Sequence, residues 1–121
     1  MLKNELHILN YRVSGQGCPV VFLHGFLESI TMWEFLKPFE NVQSIFIDLP
    51  GHGKSELNEN IELSMTSVAD SIIVLLKSIG IESYDVIGHS MGGYVAVEMK
   101  RIDKNCDKLV LLNSNFWEDD A

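Results

Sequence analysis

The residues best placed to do chemistry surround Ser90, in the stretch Gly88-His89-Ser90-Met91-Gly92. A short apolar segment precedes this Gly-x-Ser-x-Gly pattern and a helix-like segment follows it, which predicts a sharp strand-to-helix turn at the serine. A serine hydroxyl is a weak nucleophile and must be held exposed beside a base. Gly88 and Gly92 are small enough to let the strand and the helix approach each other. The pattern therefore predicts attack by Ser90 on an acyl carbon.

Such an attack also needs donors for the negative charge that forms on the carbonyl oxygen. The amide of Met91, at the start of the predicted helix, is one candidate. An earlier apolar strand, Val20–Leu23, is followed by His24–Phe26, and the amide of Phe26 is the second candidate. By itself His24–Phe26 would be interpreted as a strand-ending turn, but the Ser90 pattern favours a functional role. Phe26, Leu27 and Met91 are predicted to line the acyl pocket.

The elements that must position these groups alternate between strand and helix. The predicted strands are Glu5–Val13, Val20–Leu23, Ser44–Asp48, Tyr84–Gly88 and Lys108–Leu112, and the predicted helices are Met32–Phe39, a segment from the N-cap Ser64 to Gly80, and Met91–Ile102. Strands that are apolar on both faces and alternate with helices favour a mostly parallel sheet with helices on both faces. Functional groups should gather at the carboxyl ends of its strands.

Composition narrows the class of protein. The 121 residues suffice for at most one domain, and 46% are hydrophobic, enough for a core. A formal net charge of −8 argues against nucleic acid or an anionic membrane as partner. No signal peptide and no membrane span are evident, and Cys18 and Cys106 do not make a disulfide framework. We expect a cytoplasmic protein with a small-molecule substrate, no metal and no cofactor.

Three motifs together resemble a known family: His24–Phe26, Asp48–Ser55 (sequence DLPGHGKS) and Gly88–Gly93. Their order and spacing are similar to the amino-terminal half of α/β-hydrolases of the small serine esterase type. Relatives of that type include carboxylesterases, prolyl iminopeptidase-like enzymes and the menaquinone-pathway synthase. The resemblance covers the chain from about Tyr11 to Asn115.

The resemblance implies specific roles. Ser90 would be the nucleophile, the amides of Phe26 and Met91 would form the oxyanion hole, and Asp48–Ser55 would be a structural loop. The oxyanion loop has one glycine rather than the three of many lipases, which favours the simple esterase branch. Serine rather than aspartate at position 90 argues against haloalkane dehalogenases and epoxide hydrolases.

The partners of the serine are not found after it. In this fold the order is Ser, then Asp or Glu, then His, yet all four histidines precede Ser90. His24 and His52 are interpreted as structural, His89 should point away from the hydroxyl, and His7 is expected to be exposed or packed in the first strand. The triad acid and histidine are therefore expected beyond Ala121.

The last predicted strand supports the same expectation. Leu109–Leu112 is apolar on both faces, as in a strand from the middle of a sheet, and would otherwise form an unprotected edge. We hypothesise that residues 1–121 are the amino-terminal part of a single α/β-hydrolase domain, cut after the strand at 108–112. Asn113–Asn115 hold a position where a minority of relatives place the acid, and Glu118–Asp120 are interpreted as the start of the next segment. A homodimer through the strand edge is the alternative.

The sequence has three alternative interpretations. Gly53-Lys54-Ser55 ends like a phosphate-binding loop, but Asp48 stands where that motif requires glycine. A non-catalytic module could keep the fold without the triad, and the 121 residues alone are expected to be inactive. A lyase or synthase could use the same triad for a different reaction.

Overall fold

The computed structural model describes residues 5–112, which form a five-stranded sheet with two α-helices and a short 3₁₀ helix. The elements in chain order are β1 (Tyr11–Ser14), β2 (Cys18–Leu23), the 3₁₀ helix (Ile30–Trp33), β3 (Val42–Ile47), α1 (Met65–Ser78), β4 (Tyr84–His89), α2 (Met91–Ile102) and β5 (Cys106–Leu112).

The sheet has the strand order β1-β3-β2-β4-β5. β1 is antiparallel to β3, and the other three strand pairs are parallel, so the predicted mostly parallel sheet is confirmed. The chain moves from β2 to β3 in one direction and then crosses back to β4 on the other side of β2. In such sheets the ligand-binding crevice forms where the direction reverses, outside the carboxyl ends of the strands. Here that point lies between β2 and β4.

Both faces of the sheet are covered, but unequally. α1 and α2 share one face, where their buried side chains pack with Val21, Ile45 and Val86 in the main core. The other face carries a smaller cluster of Phe22, Ile30, Trp33 and Phe46 beside the 3₁₀ helix. Right-handed crossovers explain which face each helix covers. The connections from β3 to β4 and from β4 to β5 run across the sheet in the same direction, so α1 and α2 lie on the same face. The connection from β2 to β3 runs in the opposite direction, so the 3₁₀ helix lies on the other face.

The helix boundaries follow their end signals. Ser64 caps α1 by accepting a hydrogen bond from the Ser67 amide, as predicted. Gly80 has a φ of 86° after the last turn, a backbone conformation that favours glycine at a helix end. α2 has the predicted bounds. Within residues 5–112, neither helix has the length and apolar character needed to cross a membrane.

Two predicted elements are shorter or displaced. The strand expected over Glu5–Val13 is reduced to β1 and an isolated bridge between Ile8 and Glu56. The helix expected over Met32–Phe39 is instead the 3₁₀ helix at Ile30–Trp33. It begins earlier because the Ser29 side chain accepts a hydrogen bond from the Thr31 amide and the Asp48 carboxylate accepts one from the Ile30 amide.

His7 differs from both expectations for it, since it is buried and lies outside β1. Its Nδ1 accepts a hydrogen bond from the Asn58 amide at 3.0 Å, and its own amide donates to Oγ of Ser71 at 3.0 Å. The residue therefore joins the segment before β1 to the loop at Asn58 and to α1. Burial lowers the pKa of His7, so its ring is held neutral.

β5 is the outermost strand on its side of the described sheet. Val110, Leu111 and Leu112 are 44%, 37% and 40% exposed. The described residues thus contain the apolar sheet edge that the sequence predicts.

Candidate active site

Ser90 forms the whole connection between β4 and α2, with φ 55° and ψ −116°. Residues other than glycine rarely adopt this backbone conformation, and such strained residues are concentrated at functional sites. The contrast with Ser64 is direct. Ser64 is extended and its hydroxyl caps α1, whereas the Ser90 side chain makes no capping hydrogen bond to α2. The chain therefore holds Ser90 in a conformation that capping does not explain.

The glycines around this turn have a steric reason. A Cβ on Gly88 would lie 2.6 Å from Cα of Gly93, and a Cβ on Gly92 would lie 2.5 Å from the carbonyl oxygen of His24. Real Cβ atoms do not approach other atoms so closely. Only glycine at both positions allows α2 to start directly above β4 while touching the end of β2.

The loop after β2 lies against this turn. The Glu28 amide donates a hydrogen bond of 3.2 Å to the carbonyl of Gly25, which closes a tight turn around Phe26 and Leu27. A Cβ on Gly25 would lie 3.1 Å from Cβ of Ser90. The structure thus brings the backbone of the predicted oxyanion loop to the predicted nucleophile, whose neighbour Met91 opens α2.

Phe26 and Leu27 are displayed on the surface of this loop, with 64% and 80% of each residue exposed. Leu27 has a φ of 64°, which is strained for a leucine. The Phe26 ring makes an edge contact with His52, with 5.7 Å between ring centroids. Met91 is half-buried and packs against the main core. Two of the three predicted pocket residues are therefore available to a ligand in the described part of the chain.

Glu28 is a site residue that the sequence analysis did not identify. Its Oε1 accepts a hydrogen bond of 2.8 Å from the Gly25 amide and lies 3.1 Å from Nδ1 of His89. The carboxylate therefore touches both the oxyanion loop and the residue before Ser90. Glu28 and His89 are 61 positions apart, and no spacing pattern in the sequence points to their contact.

The rings of His24 and His52 are held by backbone groups. Nε2 of the buried His24 accepts a hydrogen bond of 2.8 Å from the Leu49 amide, and its Nδ1 donates one of 2.7 Å to the carbonyl of Gly25. Burial lowers the pKa of His24, so the ring stays neutral. Nδ1 of His52 donates a hydrogen bond of 3.0 Å to the carbonyl of Pro50. Both rings thus serve to fix loops.

Asp48 organises the loop that follows β3. Its carboxylate accepts hydrogen bonds from Nδ2 of Asn10 at 2.9 Å, the Ile30 amide at 2.7 Å and the Lys54 amide at 3.0 Å. Burial would raise the pKa of Asp48, but these donors outweigh it and the pKa lies below its usual value. The Lys54 amide is engaged by this carboxylate, which removes support for a phosphate-binding loop at Gly53.

Several predictions fall outside the described residues. These are the roles of Asn113–Asn115 and Glu118–Asp120. Within residues 5–112, no cluster of three or more His, Cys, Asp or Glu side chains is arranged to hold a metal ion. Cys18 and Cys106 are free thiols, and burial raises the pKa of Cys106 to about 11.

The sequence profile of the alpha/beta hydrolase fold matches residues 19–121. The chain belongs to the α/β-hydrolase fold family. It is 38% identical over 84 residues to the 2-succinyl-6-hydroxy-2,4-cyclohexadiene-1-carboxylate synthase of Citrobacter koseri, a match that covers 67% of this chain and 32% of the synthase.

Solved structures resemble this α/β-hydrolase chain closely. The epoxide hydrolase CorEH superposes with a TM-score of 0.83 and 29% identity, over 89% of this chain and 39% of that one. An esterase from Exiguobacterium antarcticum superposes with a TM-score of 0.78 and 26% identity, over 90% and 45%. The chain spans less than half the length of each of these proteins.

In this α/β-hydrolase chain, the parts of the candidate site come from the two strands that flank the reversal of chain direction. The loop Gly25–Glu28 follows β2, and Ser90 and Met91 follow β4. β2 and β4 are hydrogen-bonded neighbours, with Leu23 in register with Gly88. The fold therefore places a strained serine, two backbone amides and an exposed apolar loop together at the carboxyl ends of β2 and β4.

Proposed function

We propose that the protein is a serine hydrolase that cleaves an ester, thioester or related acyl bond through an acyl-Ser90 intermediate. The observation that carries this proposal is the strained backbone of Ser90, at a strand-to-helix turn in contact with the Gly25 loop. Serine in this position suits acyl transfer because its hydroxyl can attack a carbonyl carbon.

The geometry supports a sequence of bond changes. Oγ of Ser90 would form a bond to the acyl carbon, and the negative charge on the carbonyl oxygen would be stabilised by the amides of Phe26 and Met91. The bond to the leaving group would then break, and water would release the acyl group from Ser90. A histidine would accept the serine proton and return it to the leaving group, oriented by an Asp or Glu. We place both of these residues beyond Ala121, so the 121 residues alone would be inactive.

The proposed substrate is a small molecule with an acyl group that contacts Phe26 and Leu27. These side chains are exposed and apolar beside the Gly25 turn, and their contact with an acyl chain would remove apolar surface from water. The chain carries a net charge of −8, which disfavours polyanionic substrates. A cytoplasmic location remains our prediction.

Active-site labelling tests the proposal. The protein produced from its natural gene is treated with a fluorophosphonate, and the modified peptide is identified by mass spectrometry. We expect the label on Ser90, and loss of the label together with a fall in esterase turnover on the order of 10⁶-fold in Ser90→Ala. Ser78→Ala is the matched control, because this exposed serine only donates a hydrogen bond to the carbonyl of Leu75. Turnover retained in Ser90→Ala would rule out the mechanism.

A lyase or synthase reaction with the same serine is the second candidate. The 38% identity to the Citrobacter koseri synthase supports this second candidate. Hydrolysis in ¹⁸O-labelled water would place ¹⁸O in the acid product, whereas an elimination would not. A wild-type protein that neither reacts with the fluorophosphonate nor turns over esters would instead support a non-catalytic module.

A further inference from the structure

We propose that Glu28 is a positioning residue for acyl transfer, whose carboxylate holds the oxyanion loop against the turn that carries Ser90. This inference rests on the proposed function and adds to it a residue outside the nucleophile and the two amide donors. Glu28 acts through its neighbours and does not touch the acyl group.

The side chains of Glu28, His89 and Ser90 surround Gly25. The Oε1 atom of Glu28 accepts the Gly25 N–H at 2.8 Å and lies 3.1 Å from Nδ1 of His89. A Cβ at Gly25 would lie 2.5 Å from that same oxygen, 3.1 Å from Nδ1 of His89 and 3.1 Å from Cβ of Ser90. One carboxylate oxygen thus joins the residue before Phe26 to the residue before Ser90.

The direction of these hydrogen bonds follows from the chemistry of the groups. An ionised carboxylate only accepts, so Nδ1 of His89 must carry the proton that it donates. The two oxyanion amides belong to Phe26 and Met91, each of which lies within two residues of a group in this contact. A shift of the Gly25 turn away from His89 would change the distance between the two amides. Reaction rates are sensitive to displacements of about 1 Å in such groups.

The charge of Glu28 is not what this role requires. A carboxylate near a forming oxyanion opposes it, although the side chains of His89 and Glu28 are 23% and 35% exposed and solvent screens them. A glutamine at position 28 retains an acceptor oxygen for both donors and removes the charge. An alanine removes the acceptor. Comparison of the two substitutions therefore separates the hydrogen-bonded contact from the charge.

The test uses the protein from its natural gene with p-nitrophenyl acetate as substrate. We expect Glu28→Ala to lower kcat about 10²-fold, with KM nearly unchanged, because the oxyanion forms only in the transition state. Glu28→Gln should restore most of that loss. Glu34→Ala, a change at an exposed glutamate at the end of the 3₁₀ helix, should behave as the wild type.

A second measurement does not depend on turnover. Amide hydrogen exchange at Gly25, measured by NMR, should be faster in Glu28→Ala than in the wild type and in Glu28→Gln. Should Glu28→Ala fail to fold, His89→Asn and His89→Ala provide the same comparison from the other side, because the asparagine amide can donate where Nδ1 does. We expect His89→Asn to retain more of kcat than His89→Ala.

The outcomes are distinguishable. A wild-type kcat in a folded Glu28→Ala protein, or a Glu28→Gln protein as impaired as Glu28→Ala, would overturn the role of Glu28 while leaving the hydrolase proposal intact. Unchanged exchange at Gly25 in Glu28→Ala would overturn it as well. A wild-type protein that neither turns over the ester nor labels at Ser90 would overturn the proposed function and this inference with it.

Discussion

The ring of His24 accepts a hydrogen bond of 2.8 Å from the Leu49 amide, which ties the end of β2 to the loop after β3. The same ring donates to the carbonyl of Gly25 at 2.7 Å. One nitrogen must accept and the other must donate, so the arrangement requires a neutral imidazole. Protonation would add a hydrogen to Nε2 and remove the acceptor for the Leu49 amide, so the link between the end of β2 and the loop after β3 depends on the protonation state of this buried histidine.

Stability is expected to fall in mild acid. Burial lowers the pKa of both His24 and His7 below the usual 6.5, so the unfolded chain binds protons more readily than the folded one. The contribution of these two histidines to the free energy of unfolding is fully present above pH 6.5 and is lost as the pH falls through their lowered pKa values. Urea unfolding of the protein at pH 8, 6.5 and 5 should show a decreasing free energy of unfolding.

Glutamine substitutions isolate this effect. His24→Gln and His7→Gln each keep a polar side chain but cannot titrate, so the double variant should have a flatter profile between pH 8 and 5 than the wild type. Asp48 does not contribute in this window, because its pKa lies below its usual acidic value. A double variant with the wild-type slope would show that other groups cause the acid sensitivity.

Gly92→Ala should disable the site through crowding. The added Cβ would lie 2.5 Å from the carbonyl oxygen of His24, and backbone atoms cannot move aside cheaply. We expect a loss of about 1–3 kcal/mol in stability and a large loss of fluorophosphonate labelling. Gly80→Ala is the control, since its φ of 86° makes the change strained but nothing lies within 4 Å. The Gly80 variant should be destabilised yet label normally, and normal labelling of Gly92→Ala would contradict the steric argument.

The local parts of the site could be predicted from the sequence because they depend on neighbouring residues. The start of α2 after Ser90 follows from Gly88 and Gly92, two positions before and after the serine, and the end of α1 follows from Gly80. The parallel sheet follows from strands that are apolar on both faces, such as Val20–Leu23.

Contacts between distant residues could not be predicted in this way. The Glu28 and His89 contact joins positions 61 apart, and His7 meets Ser71 across 64 positions. Both depend on the strand order, which periodicity does not reveal. The early start of the 3₁₀ helix has a similar cause, since the Ile30 amide is fixed by Asp48 from the end of β3.

Leu27→Asn tests the proposed acyl pocket. Asparagine tolerates a φ near 64° better than leucine, so stability should stay the same or rise by up to about 1 kcal/mol. Removing an apolar contact should raise KM for p-nitrophenyl hexanoate more than for the acetate, because each buried CH₂ contributes about 0.8 kcal/mol. Leu63→Asn removes another exposed leucine, outside the site, and should leave both KM values unchanged. If the KM for each ester were the same in Leu27→Asn as in the wild type, Leu27 would be excluded from the pocket.

The edge of β5 is expected to be covered in the natural protein. Its last three residues, Val110–Leu112, are apolar and 37–44% exposed at the side of the sheet, an arrangement that favours pairing with another strand. We expect the product of the natural gene to have an intact mass well above 13.6 kDa, because a further strand of the same domain would pair with β5 and the triad acid and histidine would follow it. Amide hydrogen exchange should then be slow throughout β5. A mass of 13.6 kDa with a dimer in solution would instead assign the edge to a second copy. A monomer of that mass with rapid exchange in β5 would contradict both, and autonomous hydrolysis by Ser90 would then lack its base.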